Sequence, residues 1–194
     1  MTEINSLCVY CGSRFGNNEN FRLLAQNLGE ILAAENIKLV YGGGNVGLMG
    51  TIATSTIERG GKVLGIIPSH LHEIEKSHEK ITELIVVDNM HQRKRLMFDH
   101  SDAFIILPGS IGTLDETIEI ITWRQLGLHD KPIVLINADN YWNPFLELLD
   151  NIVKNEFTVP ETLSLFHVVK APEDVIPLLK MLPEPKIDPK NTLF

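Results

Sequence analysis

The chain alternates between short apolar runs and longer stretches in which apolar residues recur every three or four positions. Seven runs have the length and the β-branched and aromatic content of strands. They cover residues 7–10, 38–41, 63–67, 81–87, 103–107, 132–137 and 166–169. Most stretches between them follow the 3.6-residue period of a helix. These predicted helices cover residues 21–32, 48–59, 90–100, 113–126, 142–155 and 172–182. The pattern predicts a repeating order of strand and helix.

Some predicted strands, such as residues 103–107, are apolar at every position. Such strands are buried on both faces, which is typical of a parallel sheet covered by helices on each side. The predicted fold class is α/β, a doubly wound Rossmann-like three-layer α/β/α arrangement with a mostly parallel sheet of about seven strands. We expect a single domain over residues 1–182 and a loosely attached C-terminal tail over 183–194. Ligands of such folds bind in loops at the carboxyl ends of the strands.

Composition narrows the classes of function. The 194 residues include 17 Lys and Arg against 25 Asp and Glu, which gives a net charge of −8. An acidic chain with no run of four or more basic residues is a poor candidate for nucleic-acid binding, which relies on neutralising phosphates. No stretch approaches the ~18 apolar residues of a membrane span, and the N-terminal residues do not have the pattern of a targeting segment. We therefore expect a cytoplasmic protein with neither nucleic acid nor membrane as a partner.

Two predicted strand-to-helix turns are rich in glycine, at residues 42–50 (GGGNVGLMG) and 108–116 (PGSIGTLDE). Glycine lets a ligand approach the backbone, and the free N–H groups of the following helix attract anions, so both turns are candidate phosphate cradles. Neither contains the Gly-Lys-Ser/Thr of a P-loop. The first contains a formal G-x-G-x-x-G, but the next strand ends at Pro68 and Ser69 without the carboxylate that NAD binding needs. A tight connection without a ligand is the alternative for either turn alone.

The cysteines and a histidine cluster raise the question of a metal or redox site. Cys8 and Cys11 have the C-x-x-C spacing, but Cys8 falls within a predicted strand and no second pair exists, so we expect both to be buried. His70, His72 and His78 lie close together in a predicted loop that does not fix their spacing. We expect these histidines to face solvent or a pocket rim, and we predict no metal site.

Several segments carry a resemblance to a known family. Residues 108–116 resemble the P-G-G-x-G-T-x-x-E signature of the LOG ("lonely guy") family, the cytokinin riboside 5′-monophosphate phosphoribohydrolases, and residues 90–94 (MHQRK) resemble its M-H-x-R-K segment. Residues 11–13, 41–50, 122–127 and 129–132 are also similar, so the resemblance runs in order from residue 7 to 182. Ser110 departs from the signature, which has glycine there. A positive φ at this position would strain a serine.

The resemblance implies hydrolysis of the N-glycosidic bond of a purine nucleoside 5′-monophosphate, with free base and ribose 5-phosphate as products and no cofactor. Some family members act on N6-prenylated AMP and others mainly on AMP, and the sequence leaves both open. The resemblance also implies a homodimer with the site near the subunit interface. The alternative from another class is a non-catalytic nucleotide- or phosphate-binding protein of the same fold.

Sequences of this kind are often labelled lysine decarboxylases. Decarboxylation of an amino acid needs pyridoxal phosphate or an equivalent electron sink, normally on a Schiff-base lysine. No lysine of this chain lies in a recognisable context for that role. The residues therefore do not support the label.

Arg93 and Glu116 are the candidate catalytic pair, by resemblance and by chemistry. Loss of a purine from C1′ builds positive charge on the ribose, which a nearby carboxylate stabilises. Glu116 is predicted in the first turn of its helix, with Glu119 on the same face as a supporting group. Arg93 is predicted near a helix N-terminus, where the dipole disfavours a cation, and would orient Glu116 and contact the substrate. Taken singly, Glu116 could instead complement its helix dipole, and Arg93 could belong to a solvated helix face.

The remaining candidates surround this pair. Thr113 is predicted at a helix start, where its hydroxyl can cap the helix or bind phosphate. Ser13, Met90 and Glu119 are predicted on the base and ribose side, although a core position is the alternative for Met90. The residues predicted to bind phosphate are Gly43, Gly44, Gly109, Ser110, Gly112 and Thr113.

Overall fold

The computed structural model of the protein describes residues 4–72 and 80–187. Within them the strands are β1 (Ser6–Tyr10), β2 (Lys38–Tyr41), β3 (Val63–Pro68), β4 (Glu83–Val87), β5 (Ala103–Ile106), β6 (Ile133–Ile136) and β7 (His167–Val169). The α-helices are α1 (Glu19–Ala34), α2 (Gly47–Glu58), α3 (Ser69–His72), α4 (Met90–Asp99), α5 (Ile111–Gln125), α6 (Asn143–Lys154) and α7 (Val175–Met181). Short 3-10 helices cover Ala138–Asn140, Pro160–Leu165 and Pro172–Asp174.

The strands form one sheet in the order β4-β3-β2-β1-β5-β6-β7. Every strand pair in the described residues is parallel. The chain builds outward from β1 to β4 and then crosses back to place β5 on the other side of β1. This reversal of strand order between β1 and β5 opens a crevice at the carboxyl ends of the two strands, where ligands of open α/β sheets bind. The predicted doubly wound α/β fold is confirmed.

Helices cover both faces of the sheet and bury two apolar clusters. On one face, α1, α2 and α7 pack on side chains that include Leu7, Val9 and Leu39. On the other face, α4, α5 and α6 pack on side chains that include Cys8 and Phe104. The central strands are therefore buried on both sides, as their continuously apolar sequence predicts. The helices that carry Arg93 and Glu116 lie together on the second face.

Most predicted elements are present, and the differences lie at their ends. Helix α5 begins at Ile111, two residues before the predicted start, because Ser110 takes the extended conformation of an N-cap. The predicted last helix is divided into a 3-10 turn at Pro172–Asp174 and α7. His70 and His72 lie in the short helix α3 rather than in the predicted loop, while His78 falls outside the described residues.

Part of the predicted C-terminal tail contacts the body of the protein. The backbone amides of Lys186 and Ile187 donate hydrogen bonds to the carboxylate of Asp130, at 2.6 and 3.2 Å. Residues 188–194 of that tail lie outside the described residues. No helix in the described part of the chain is long and apolar enough to cross a bilayer.

Candidate active site

Three strand-to-helix loops meet at the carboxyl edge of the sheet. The amide of Gly12, after β1, donates to the carbonyl of Pro108, after β5, at 3.0 Å. The carbonyl of Gly12 in turn accepts from the amide of Leu48 in α2, also at 3.0 Å. Gly47 has a φ of +64°, and an added Cβ would lie 2.3 Å from the carbonyl carbon of Ser13, so glycine is required there. The loops therefore form one tightly packed platform at the predicted ligand-binding edge.

Arg93 and Glu116 form a buried ion pair beneath this platform. Arg93 Nη1 lies 3.3 Å from Glu116 Oε1, and both side chains are about nine-tenths buried. The Nε of Arg93 donates to the carbonyl of Ile66 at 3.2 Å, and its Nη2 donates to the carbonyl of Gly42 at 3.5 Å. A guanidinium held from three sides has one preferred orientation, which suits the placing of a carboxylate. The structure thus brings the predicted catalytic pair together.

Gly42 makes room for this arrangement. A Cβ at position 42 would lie 1.9 Å from Nη2 of Arg93, so any side chain there would displace the guanidinium from Glu116. Sequence reasoning favoured Gly43 and Gly44 of the same turn and missed Gly42. The only sequence signal for it is its place as the first residue after β2.

Burial sets the acidity of Glu116. Removal of this carboxyl from water raises its pKa to about 7, against the opposing positive charge of Arg93 and with a further upward contribution from Asp115. A carboxyl with such a pKa exists in both protonation states near neutral pH. Glu116 can therefore accept or release a proton at physiological pH, as a general acid or base must.

The ion pair faces a small cavity of about 90 Å³. Six of the predicted site residues line it: Arg93, Glu116, Ser13, Ser110, Gly112 and Thr113. The other lining residues are Gly42 and four with apolar or sulfur-containing side chains: Val9, Cys11, Met49 and Met97. The cavity therefore combines an ion pair, hydroxyl groups and apolar side chains in its wall.

A larger cavity of about 480 Å³ adjoins the small one, and both are lined by Ser13 and Ser110. It occupies the crevice between the loops after β1 and β5, and its volume is typical of a small-molecule site. Gly109 is the predicted site residue found only in this larger cavity. Sequence reasoning did not single out its aromatic and cationic lining, which comprises Phe15, Phe21, Tyr141 and Arg14.

The start of α5 corrects two sequence expectations. Because the helix begins at Ile111, Thr113 is its third residue and is not the cap, and Glu116 lies in the second turn rather than the first. Ser110 has a φ of −106° and makes no side-chain capping hydrogen bond, so serine causes no backbone strain in place of the signature glycine. No acidic residue lies in the first turn, which leaves the N-terminus of the helix available to an anion.

Three further candidates lie around the small cavity without being among its lining residues in the described part of the chain. Gly43 has a φ of +80° and packs against β3, where an added Cβ would lie 2.9 Å from Cβ of Ile67. Gly44 is buried in the same turn. Met90 is partly buried, and its sulfur lies 3.9 Å from Nη1 of Arg93.

Glu119 lies one turn after Glu116 on α5, and its side chain is paired with Lys94. Its carboxylate accepts from Nζ of Lys94 at 2.9 Å, and the same ammonium donates to Asp115 at 3.2 Å. The negative charge of Glu119 also contributes to the raised pKa of Glu116. A supporting role for Glu119 beside Glu116 stays a prediction.

The other predicted sites take structural positions. Cys8 and Cys11 are buried free thiols, as expected, and burial raises the pKa of both well above the usual range of a thiol. No group of three or more His, Cys, Asp or Glu side chains suited to a metal occurs among residues 4–72 and 80–187.

Comparison with known proteins decides the family. A family model described as "Possible lysine decarboxylase" matches residues 49–179. A cytokinin riboside 5′-monophosphate phosphoribohydrolase of Arabidopsis thaliana is 43% identical over 183 residues, covering 91% of this chain and 86% of the relative. The enzyme of the same name from Rhodococcoides fascians is 43% identical over 176 residues, covering 90% and 89%. The chain belongs to the LOG family. This LOG-family chain thus has close relatives in plants and in a bacterium.

Solved structures show that the LOG fold is shared more widely. A molybdenum cofactor binding protein from Rippkaea orientalis superposes with a TM-score of 0.71 at 23% identity, covering 93% of this chain and 98% of that one. The molybdenum cofactor carrier protein of Chlamydomonas reinhardtii gives 0.68 at 20% identity, covering 92% and 97%. At these identities the likeness shows the fold alone, and function has to be argued from the site.

Proposed function

We propose that the protein hydrolyses the N-glycosidic bond of a purine nucleoside 5′-monophosphate and releases the free base and ribose 5-phosphate. The observation that carries this proposal is the buried Arg93–Glu116 pair, 3.3 Å apart, in a cavity that adjoins the glycine turn before α5. A protein that only bound nucleotides would have little need to bury these opposite charges, because burial of ions is costly. The names of the relatives agree with this reaction.

In the proposed reaction, Glu116 acts on the ribose. As the bond from C1′ to the purine breaks, positive charge develops on C1′ and O4′, and the Glu116 carboxylate stabilises it and orients the attacking water. The water oxygen forms the new bond to C1′. One water proton remains on the new hydroxyl at C1′. The other ends on the departing base, which is released as a neutral molecule. Arg93 keeps Glu116 aligned and contacts the substrate.

The phosphate is proposed to lie at the N-terminus of α5. The donors are Gly109, Ser110, Gly112 and Thr113, from the turn and the first helical residues. Backbone N–H groups at a helix N-terminus bind phosphate without any basic side chain, which is compatible with a chain of net charge −8. Ser13, at the junction of the two cavities, and Met90, beside Arg93, are assigned to the ribose and base side. Gly43 and Gly44, which follow Gly42 in the first glycine turn, are proposed as further phosphate-binding residues.

Both AMP and N6-prenyl-AMP are candidate substrates, and the relatives' names favour the cytokinin nucleotide. We further propose a cytoplasmic homodimer whose site lies near the subunit interface, with neither nucleic acid nor a membrane as a partner. The reaction uses water and no cofactor.

The alternative of lysine decarboxylation, which the family description suggests, has little support at this site. Lys94 is the lysine next to Arg93 in sequence. Burial works against its charge, but the hydrogen bonds and negative charges of Glu119 and Asp115 outweigh that effect and raise the pKa of Lys94. A lysine that forms a Schiff base needs the opposite change, toward a neutral amine.

The test is base release from AMP and from N6-isopentenyl-AMP, followed by chromatography with the wild type, Glu116→Gln and Arg93→Ala. We expect release by the wild type and a loss of about 10²–10⁴-fold in each variant, because each removes a charged group from the transition state. Circular dichroism checks that the variants are folded. Equal, negligible release by all three proteins would overturn the proposal and favour a nucleotide-binding protein. Cleavage of AMP but not of N6-isopentenyl-AMP would indicate a function in nucleotide turnover and would exclude the cytokinin nucleotide as a substrate.

A further inference from the structure

The segment between β6 and α6, residues 137–142, crosses the crevice between β1 and β5, and we refer to it as the strap. On one side of the crevice, the carboxylate of Asp139 accepts hydrogen bonds from the side-chain amides of Asn18 and Asn20, at 2.7 and 3.0 Å. On the other side, the hydroxyl of Tyr141 donates to the carbonyl of Gly109 at 2.5 Å. The strap therefore ties the start of α1 to the glycine turn before α5.

The strap is held in a single, unusual conformation. Asp139 and Asn140 have φ angles of +50° and +58°, in the left-handed region that Asp and Asn tolerate better than other non-glycine residues. Such geometry persists where the surroundings enforce it. Here the side chain of Asn137 accepts from the amide of Trp142 at 2.8 Å. The Tyr141 ring packs edge-on against the rings of Phe21 and Trp142, with centroids 5.3 and 4.9 Å away.

The Tyr141 hydroxyl contacts the peptide that joins Gly109 to Ser110. A Cβ at position 109 would lie 2.1 Å from Oγ1 of Thr113, so this position requires glycine. Glycine leaves the adjoining peptide planes freer to rotate than any other residue does. In a trans peptide, the carbonyl of Gly109 and the N–H of Ser110 point in opposite directions. The hydroxyl that holds the carbonyl therefore also sets the direction of the Ser110 N–H.

We propose that Tyr141 is a positioning residue for phosphate recognition, acting through the peptide between Gly109 and Ser110. By holding the Gly109 carbonyl, Tyr141 turns the Ser110 N–H away from itself and toward the 5′-phosphate bound at the start of α5. The phosphate loop is thus aligned before the substrate arrives, which lowers the cost of ordering it on binding. This inference rests on the proposed function, because it needs a phosphorylated sugar as the ligand.

The test compares Tyr141→Phe with the wild type. Phenylalanine keeps the ring contacts and removes only the hydroxyl. We expect the KM for AMP and the Kd for ribose 5-phosphate, measured by isothermal titration calorimetry, to rise together by about three- to tenfold, the effect of one lost neutral hydrogen bond. The kcat is expected to stay within about twofold, and the melting temperature to change little because the ring packing is retained.

The matched control is Lys170→Met. Lys170 donates to Asn140 Oδ1 at 3.0 Å, so this variant loses a strap hydrogen bond that does not reach the glycine turn, and it is expected to leave both constants unchanged. Unchanged constants in Tyr141→Phe would overturn the inference. A lower kcat and melting temperature with unchanged KM and Kd would do so too, since that result indicates packing alone. If the wild type binds ribose 5-phosphate but releases no base, the hydrolase proposal fails while the calorimetric comparison still tests Tyr141.

Discussion

Helices α4 and α5 have a cation near each end of their shared interface, buried for Arg93 and partly buried for Lys131, and the two ends differ in whether a cavity adjoins the cation. Near the N-terminal ends, Arg93 pairs with Glu116 beside a cavity. Near the C-terminal ends, the ammonium of Lys131 donates to the carbonyls of Phe98 and Ser101, both at 2.8 Å. The same ammonium lies 4.0 Å from the centroid of the Phe98 ring. These contacts of Lys131 are all made by protein atoms at the C-terminal end of α4. We call this the closed end of the interface, and the end where Arg93 and Glu116 adjoin a cavity the open end.

His129 completes this closed end. It is fully buried, one ring nitrogen contacts the carbonyl of Ile120 at 2.9 Å, and the other accepts from the amide of Lys131 at 3.1 Å. Burial lowers the pKa of His129 to about 4, so the ring is neutral at physiological pH. At the open end, by contrast, burial brings the pKa of Glu116 to about 7. Buried ionisable groups thus serve structure where protein atoms complete their contacts, and chemistry where one side is left to a ligand.

The three segments 90–94, 108–116 and 129–132, which all carry the family resemblance, divide between the two ends. Residues 108–116 and 90–94 contribute the ion pair and the cavity wall. Residues 129–132 link the C-terminal end of α4 to the segment after α5 through Lys131 and His129. A family motif therefore indicates where a segment lies in the fold, and the contacts of its residues show whether its role is structural or chemical.

Lys131→Met should have the largest effect on stability. Methionine keeps the aliphatic stem but removes both hydrogen bonds of the ammonium and its contact with the Phe98 ring, although the Phe98 carbonyl keeps the amide of Ser101 as a donor at 3.3 Å. We expect a loss of about 2–4 kcal/mol in the free energy of unfolding. The melting temperature should fall by roughly 5–15 °C, measured by calorimetry, with kcat at 25 °C within about twofold of the wild type. Lys180→Met, which breaks the exposed pair with Glu35, is the control and should change stability by less than about 0.5 kcal/mol. If Lys131→Met kept its stability but lost activity, Lys131 would serve the reaction rather than the structure.

The pH dependence of kcat/KM tests the end of the helix interface that carries Arg93 and Glu116. The mechanism uses the Glu116 carboxylate, whose pKa in the free protein is about 7, so kcat/KM should rise with pH and level off above about pH 8. At pH 5 it should be about a hundredfold below the plateau, because about 1% of Glu116 is then ionised. The measurement is kcat/KM from rates well below substrate saturation, at constant ionic strength. A rate that falls as pH rises would assign the active form to the protonated acid.

Glu116→Gln should show a pH-dependent gain in stability relative to the wild type. The folded protein retains a proton on Glu116 at pH values where the unfolded chain has released it, so the wild type loses stability as pH rises from about 4.5 to about 7. Glutamine has no such ionisation. Urea unfolding at pH 5 and pH 8 should therefore show the stability difference move by roughly 2–3 kcal/mol in favour of the Gln variant. A difference that is the same at both pH values would show that Glu116 does not titrate near neutrality.

Glu119→Gln should have the smallest effect. The carboxylate of Glu119 forms an ion pair with Lys94, and Lys94 keeps Asp115 as a partner in the variant. We expect kcat/KM within about threefold of the wild type, since a partly exposed ion pair contributes about 1 kcal/mol or less. A loss beyond tenfold would place Glu119 in the site.

Sequence reasoning predicted the fold well because its signals are local or periodic. The continuous apolar run at residues 103–107 and the largely apolar run at 132–137 correspond to the interior strands β5 and β6, and glycine-rich turns mark the carboxyl edge of the sheet. The Arg93–Glu116 pair was identifiable because each residue lies within a motif of fixed spacing.

The missed details depend on conformation and on distant partners. The start of α5 depends on the backbone angles of Ser110, which spacing does not specify. Tyr141 reaches Gly109, 32 residues away, only because Asp139 and Asn140 adopt left-handed geometry. The Asp-Asn pair directly before Tyr141 was the available signal, since these residue types tolerate that geometry best.

The close approach of Gly42 to Arg93 has a consequence for engineering. A Cβ at position 42 would overlap the guanidinium, so the two positions work as a single unit. Transfer of the Arg–Glu pair into another protein of this architecture would fail if only the two charged residues were introduced. A glycine at the end of the second strand must be transferred with them, so the minimal set to transfer is three residues.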